Sequence, residues 1–506
     1  MDGHLILLAL LTLCGSLASA LALTPLAQAL ARRLDIVDRP DGKRKLQQSP
    51  IPLLGGVAVC LGIAGSVGSL AALGWLSPGC LSPVAFAVSL ALLCLSGLYD
   101  DVWNLRARYK LLAQIVCTLP LVLSGCAIER LGLCGYTLEL GPWSAVVSVL
   151  WLVSGINAMN VIDGMDGLAA TTGLCIAAGI GVLGALSGST DCVLLAAVLV
   201  GAAAGFLVFN LPPARIYLGD AGSMVIGLAL SALTLQVATD AANRTSLTLM
   251  VVLLAIPLGD LALAVVRRSL SGCGICSPDR GHIHHRLLDR GFSVQRTLCV
   301  VASICLVSGA IASASRIIGW EPLAWAGSIV LGVTLVRSRL AGHYEWAMTK
   351  SKLTRAWLPV ELPLPTKDQI ATLPFDEVWA RLVASADRLS LQGVELSLHD
   401  AHGISGTPRD DRLHRWNSTA HLHPTSGHST VEIVMFSIRA ETVRLRLEPD
   451  GASALAGPAW QSLLKAARLA VAHWAESPQT VPESSPHVLA LPDAVKMPSG
   501  HSARAA

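Results

Sequence analysis

The chain has 506 residues, 53% of them hydrophobic and only 14% charged, with a formal net charge of +3. Together with a mean hydropathy of +0.59, this excludes a disordered chain or an ordinary soluble protein and points to a polytopic membrane protein. The near-neutral charge and the lack of a basic tract leave nothing that would select nucleic acid.

Apolar runs of about 20 residues, enough to cross a bilayer, are predicted near 4–31, 53–76, 81–99, 109–128, 142–160, 168–188, 192–211, 221–238, 246–266, 298–315 and 321–337, eleven in all. The first, HLILLALLTLCGSLASALAL, has the apolar run and small residues of a signal peptide. It has no positive leading region, and it continues to Ala31, so it is read as a retained first helix. Leu13 before Cys14 makes LTLC a poor lipidation signal. All thirteen Cys precede residue 306 and sit mostly in apolar runs, as small hydrophobes rather than disulfide partners.

The loops between spans alternate between faces. The odd-numbered loops hold roughly 16 Lys and Arg and the even-numbered ones about 3, which by the positive-inside rule puts the odd loops in the cytoplasm and the N-terminus outside. Those same loops carry DRPDGKRK (38–45), YDDVWN (99–104), VIDGMDG (161–167), RIYLGDAGS (215–223) and SPDRGHIHHR (277–286). A site assembled on the cytoplasmic face from five loops is the economical explanation.

In YDDVWN, Asp100 and Asp101 face each other and the negative pole of their own helix, so both need cations nearby to stay ionised. The bland alternative is a solvated pair. In NAMNVIDGMDGLA (157–169), Asn157 and Asn160 lie one turn apart on a helix and present both amides to one side. Asp166 and Asp220 each precede a span and could simply cap it; Asp163, between helix and glycines, has no such excuse. SPDRGHIHHR supplies His282, His284 and His285 with Arg280 and Arg286, suited to anionic phosphates. Nearby Cys273 and Cys276 form a CxxC, so a zinc site is the competing reading. Asp260 is the one carboxylate well within a span, a functional position by default.

Beyond residue 340 the composition changes. A linker over 341–366 leads to a soluble α/β module over 367–476. Helices are predicted at 376–390 and 457–474. GVELSLH, STVEIVMFSI and ETVRLRLEP are strands, and 400–428 is a long loop. The module carries no catalytic motif and is read as an interaction or regulatory domain for a protein partner. The Pro/Ser-rich tail, 477–506, is expected to be disordered. The fold class is therefore an all-α polytopic membrane protein over 1–340, of about eleven transmembrane helices with the N-terminus outside. A small C-terminal cytoplasmic α/β module is appended.

Carboxylate ligands with few Cys or His suit Mg²⁺ and phosphoryl chemistry. At a membrane surface they suggest joining a water-soluble phosphorylated donor to a lipid acceptor. A transporter would instead place charge near the bilayer midplane on discontinuous helices. An inactive homologue acting as a scaffold is a second rival.

YDDVWN, NAMNVIDGMDGLA, IYLGDAGS and SPDRGHIHHR, in this order over residues 1–340, resemble the polyprenyl-phosphate N-acetylhexosamine-1-phosphate transferases (glycosyltransferase family 4). HIHH is similar to the branch using N-acetylglucosamine-1-phosphate, less so to the muramoyl-pentapeptide branch of peptidoglycan synthesis. The resemblance implies a UDP-N-acetylhexosamine donor, a polyprenyl phosphate acceptor, Mg²⁺ (or Mn²⁺ in its place), the bacterial inner membrane and a homodimer. It implies that Asp100 and Asp101 handle the lipid phosphate and metal, with Asp163 and Asp166 also catalytic. Asn157 and Asn160 join the donor site, Asp220 with Asp101 binds Mg²⁺, and Arg280, His282, His284 and His285 lie near the donor phosphates. The family's first loop commonly reads RKxH then PxPRxGG. Here Gln47 and Leu53 replace its His and Arg, and Lys43, Arg44 and Lys45 are the basic residues left to bind substrate.

Overall fold

A computed structural model describes residues 3–39, 50–77, 81–270, 279 and 281–343, single residues 345, 346, 349, 377 and 381, and four strands between 391 and 449. Lys43, Arg44, Lys45, Gln47, Cys273, Cys276 and Arg280, most of the linker and of the helix expected at 376–390, all of the helix expected at 457–474 and the tail lie outside the described residues.

The described helices are α1 (Gly3–Arg33), α2 (Gly55–Ala72), α3 (Pro83–Trp103), α4 (Ala107–Leu123), α5 (Ser144–Ile162), α6 (Leu168–Leu186), α7 (Thr190–Asn210), α8 (Gly219–Ala238), α9 (Leu247–Leu253), α10 (Ala255–Leu270), α11 (Ile283–Asp289), α12 (Val294–Ile318) and α13 (Glu321–Arg337). Among them, eight helices are long and apolar enough to cross a membrane, nine if α9 and α10 count as one bent span. Every expected span coincides with helix, but α4 and α13 have 17 residues each, just short of a full crossing. The run at 246–266 is not one rod: it breaks at Leu254, and α10 turns 83° from α9. Pro257, in the first turn of α10, can donate no hydrogen bond back to α9.

Local chemistry sets the helix ends. α3 starts at Ser82, whose hydroxyl accepts from the Ala85 N–H ahead of Pro83, and stops at Asn104 in the left-handed region (φ 50°). α12 runs from the Ser293 cap to Gly319 (φ 72°). These are the usual start and stop chemistries.

The bundle is organised around α8, almost wholly buried. It packs on α2, α3, α5, α6, α7 and α9, and small residues let backbones meet there. Gly56 lies against Gly222, Gly97 against Ala221, and a Cβ on Gly227 would stand 2.6 Å from the Gly155 carbonyl. α1 lies along α7, and α12 along α6 and α13. Away from the α8 N-terminus, β3 (Arg130–Leu133) forms a three-stranded sheet. It pairs antiparallel with β4 (Tyr136–Glu139) and parallel with β5 (Arg244–Ser246). A short ladder joins β1 (Val37–Asp38) and β2 (Ile51–Pro52).

The chain divides into two units, Met1–Val266 with Cys276–Glu345, and Arg267–Ile275 with Trp346–Ala506. In the second, β6 (Leu391–Asp400), β7 (Leu413–Asn417), β8 (Val431–Ile438) and β9 (Glu441–Pro449) form an antiparallel sheet in the order β7-β6-β9-β8. β7 falls inside the segment read as a long loop. Its sequence, LHRWN, has one polar-to-apolar alternation too few to stand out.

Candidate active site

Asp100, in the last turn of α3, is buried; its Oδ1 accepts from the Leu105 N–H at 2.7 Å. Its Oδ2 lies 2.9 Å from Nζ of Lys110 on α4. The same ammonium stands 2.5 Å from Asp220 Oδ2 and donates to Asn160 Oδ1 at 3.3 Å. Asn160, near the end of α5, closes the ring by donating to Asp220 Oδ1 at 2.7 Å and to Ser223 Oγ at 3.0 Å. Three segments spaced 60 residues apart thus meet at one cation. The cation that the aspartate pair demanded is Lys110.

Asp101 behaves differently from its neighbour. Its Oδ1 accepts from the Asp220 N–H at 2.8 Å and its Oδ2 from the Ala221 N–H at 3.2 Å. α8 has no side-chain cap of its own, so a carboxylate from α3 satisfies its orphan N–H groups and meets the positive pole of its dipole. Both oxygens of Asp101 are thereby fixed against the start of α8, beside the Asp220 carboxylate. The capping alternative for Asp220 fails. Asp220 sits inside the first turn of α8, and its side chain faces Lys110 and Asn160.

Asp163 terminates α5, and Gly167 (φ 74°) opens α6. Asp166 does not cap α6. It accepts from the Ala214 N–H at 2.9 Å and so ties this loop to the segment entering α8. Asn210 braces the same junction, accepting from the Gly167 N–H and donating to the Ile216 carbonyl. Asp163 is half-buried. Burial first, then the Asp220, Asp101 and Asp166 carboxylates, pushes its carboxyl well above the ordinary carboxylate range. This is the uncompensated acid of the cluster. Asn157, one turn before Asn160, bonds to Gln114 of α4 instead of facing the acids.

The histidine loop closes the site. Asp260 on α10, buried, lies 2.9 Å from His282 Nδ1 and accepts from the Ile283 N–H at 3.3 Å. Asp260 thus anchors the start of α11. His284, 2% exposed, lies against His285 with ring centroids 4.2 Å apart and the planes tilted by 43°. A Cβ on Gly164 would come within 2.5 Å of His284 Nε2. Glycine is what lets the ring reach the Asp163 loop. Among the described residues His284 Nε2 has no hydrogen-bond partner. Burial and the neighbouring His285 push its pKa down to about 4. At neutral pH it is an uncharged ring with an open nitrogen in the site. Arg286 pairs with buried Glu345 at 2.8 Å.

The first loop has a structural part. Gly55 and Gly56 donate to the Tyr217 and Leu218 carbonyls, and the Tyr217 N–H donates to Pro52. PIPLLGG therefore grips the entry to α8 without the family's Arg at Leu53. Burial, then Asp166 and Asp38, raises the Tyr217 phenol to about 12. Among the described residues no three His, Cys, Asp or Glu converge on a metal position. Mg²⁺ commonly takes one or two carboxylates and completes its shell with water and substrate phosphates. Asp163 and Asp220 fit that description.

The reading of the residues missed Lys110, Gln114, Ser223 and Asn210. Lys110 passes for an ordinary basic flank of a span. Gln114, alone in an apolar run and four residues from Lys110, was a signal that went unused.

The sequence pattern of glycosyl transferase family 4 matches residues 83–238, from α3 through α8. The chain is 31% identical over 327 residues to a probable undecaprenyl-phosphate N-acetylglucosaminyl 1-phosphate transferase of Bacillus subtilis, covering 63% of this chain and 87% of that protein. It is 36% identical over 321 residues to a decaprenyl-phosphate N-acetylglucosaminephosphotransferase of Mycobacterium tuberculosis, covering 58% and 79%. An undecaprenyl-phosphate alpha-N-acetylglucosaminyl 1-phosphate transferase of Escherichia coli is 28% identical over 303 residues, covering 58% and 81%. With its acidic cluster, its histidine loop and its membrane-spanning helices, this chain belongs to glycosyl transferase family 4, the polyprenyl-phosphate N-acetylhexosamine-1-phosphate transferases.

Proposed function

We propose that the protein transfers N-acetylglucosamine-1-phosphate from UDP-N-acetylglucosamine to polyprenyl phosphate, starting a lipid-linked cell-envelope glycan. A lipid phosphate oxygen forms a bond to the sugar-bearing phosphorus of the donor, the bond to the UMP oxygen breaks, and UMP leaves. The observation that carries this is the meeting of Asp100, Asp220 and Asn160 on Lys110, with the histidine loop against the Asp163 loop.

Each side chain has a task in that reaction. Lys110 supplies fixed positive charge where anionic phosphates gather. His284, neutral and open at Nε2, offers a hydrogen bond to a donor phosphate, and Asp260 holds His282 beside it. Asp163 and Asp220 would hold Mg²⁺, which supplies charge neutralisation on the diphosphate. Asp101 and Asn160 keep Asp220 aimed. Asp166 holds the loop that brings Asp163 in.

The same reading takes the site to the cytoplasmic face of the bacterial inner membrane and the N-terminus to the outer side, following the basic-residue bias of the loops. It counts α4 and α13 as crossings: at 1.5 Å per residue each is roughly 26 Å long, near the ~30 Å hydrocarbon thickness. A homodimer and a protein partner for the C-terminal module belong to it as well. The test is turnover with purified protein, polyprenyl phosphate and Mg²⁺. Product is expected with UDP-N-acetylglucosamine and not with its galacto epimer or UDP-muramoyl-pentapeptide. Preference for either competitor overturns the sugar assignment, and no product with any donor overturns the activity.

A further inference from the structure

Beneath the ring of Asp100, Lys110, Asp220 and Asn160 lies a second polar layer. Gln114, on α4 and fully buried, accepts from Asn157 Nδ2 at 2.7 Å and donates to Asn157 Oδ1 at 3.3 Å. The same amide nitrogen lies 3.3 Å from Met224 Sδ on α8. Asn157 also donates to the Val153 carbonyl of its own helix. The two layers are in register. Lys110 and Gln114 are four apart on α4, Asn160 and Asn157 three apart on α5, and Asp220 and Met224 four apart on α8. Each pair stacks one turn above the other on a single helix face.

The three helices are not held alike. α8 is fixed against α2, α3 and α5 through the backbone approaches at Gly56, Gly97 and Gly227. α4, ARYKLLAQIVCTLPLVL, has no glycine, and its described side-chain hydrogen bonds to α5 and α8 come from Lys110 and Gln114 alone. In an apolar bundle a buried carboxamide that loses its partner is costly, and a reciprocal amide pair fixes one rotation of the helix that bears it. Rotation of α4 decides where Lys110 points. We infer that Gln114 is a positioning residue for phosphosugar transfer: its amide pair with Asn157 sets the rotation of α4 that holds the Lys110 ammonium between Asp100 and Asp220.

The inference rests on the proposed transferase activity for its kinetic readout but makes a structural claim of its own, so two measurements separate them. The first is zero-length carbodiimide coupling of the purified protein, with peptide mass spectrometry of the Lys110 amide bond to Asp220 or Asp100. Gln114→Met, close in length and apolar, is expected to lower its yield several-fold, whether or not the protein turns over. The second is steady-state kinetics per folded molecule. Gln114→Met is expected to lower kcat by about 30–100-fold, the scale of a sub-ångström to one-ångström misplacement, with donor KM within about threefold. Gln114→Glu keeps the bond accepted from Asn157 and falls between; it also serves if Gln114→Met does not accumulate. The swap Gln114→Asn with Asn157→Gln rebuilds the pair and restores both coupling and kcat. Unchanged coupling in Gln114→Met overturns the inference. So does a loss confined to the amount of folded protein, with kcat unchanged. A wild-type protein that couples Lys110 but makes no product overturns the transferase reading alone.

Discussion

Replacing Lys110 with Met removes the cation that, among the described residues, holds the acidic ring together. In the structure its ammonium is shared by Asp100 at 2.9 Å and Asp220 at 2.5 Å, with side-chain exposures of 18% for Lys110, 8% for Asp100 and 33% for Asp220. Breaking a well-buried pair by deleting one partner costs about 3–5 kcal/mol, because the other charge is left unpaired. Asp220 is a third exposed and recovers part of that from water, so the lower end, roughly 3 kcal/mol, is the appropriate figure. Loss of the positive charge fixed beside the phosphates separately lowers turnover by about two orders of magnitude. Lys110→Met is therefore expected to melt earlier in detergent and to lose about a hundredfold in kcat. Lys110→Arg, whose planar fork cannot face three acceptors as an ammonium does, falls between. Adding Asp100→Asn to Lys110→Met removes the orphaned buried carboxylate and should return much of the thermal stability but none of the activity. Lys110→Met with an unchanged melting temperature and a kcat within about threefold of wild type would refute the charge arrangement described here.

Three further outcomes follow from individual contacts. The Asp163 carboxyl lies above its ordinary value in the folded protein, so as pH rises the unfolded chain loses this proton first. Its contribution to stability is full below about pH 4 and is lost as pH climbs through the raised value. Asp163→Asn should therefore be inactive yet melt higher than wild type at alkaline pH, with the gap closing in acid; a gap that widens in acid would invert the assignment. Gly164→Ala drives a methyl group into His284 Nε2 and is expected to raise donor KM about tenfold, or ~1.4 kcal/mol. In a His284→Ala background the same change should add nothing, and an additive effect in the double variant would show that the two residues act separately. Asp101→Ala leaves two N–H groups of α8 without acceptors, a loss of roughly 1–2 kcal/mol in thermal unfolding, and lowers turnover through Asp220. An Asp101→Ala protein of wild-type stability would show that these two bonds do not hold the start of α8.

The parts of this fold that follow from local sequence were legible, and those that depend on distant pairings were not. Every apolar run became helix, because hydrophobic length acts locally, and the described parts of YDDVWN, VIDGMDG, RIYLGDAGS and GHIHHR came together. The need of Asp100 and Asp101 for compensating charge was also legible, from their place at a helix C-terminus. Its two sources were not. Lys110 reads as a span flank, and the α8 N-terminus that Asp101 caps lies 119 residues further on. Asp166 showed the same difficulty, since a cap for α6 and a brace for Ala214 look identical in GMDGLA. The break at Leu254 had a local cause in Pro257, hidden because the run stays apolar on both sides of it. Asp260, singled out by its position in a span, could not be matched to His282 before the turn of α10 was known.

The central claim is that this acidic ring transfers a phosphosugar, and exchange of labelled UMP into UDP-N-acetylglucosamine by membranes containing the protein and polyprenyl phosphate tests it most directly. The account predicts Mg²⁺-dependent exchange that Asp220→Asn abolishes while leaving the amount of folded protein unchanged. Absence of exchange in the wild type, or full exchange in Asp220→Asn, would contradict it.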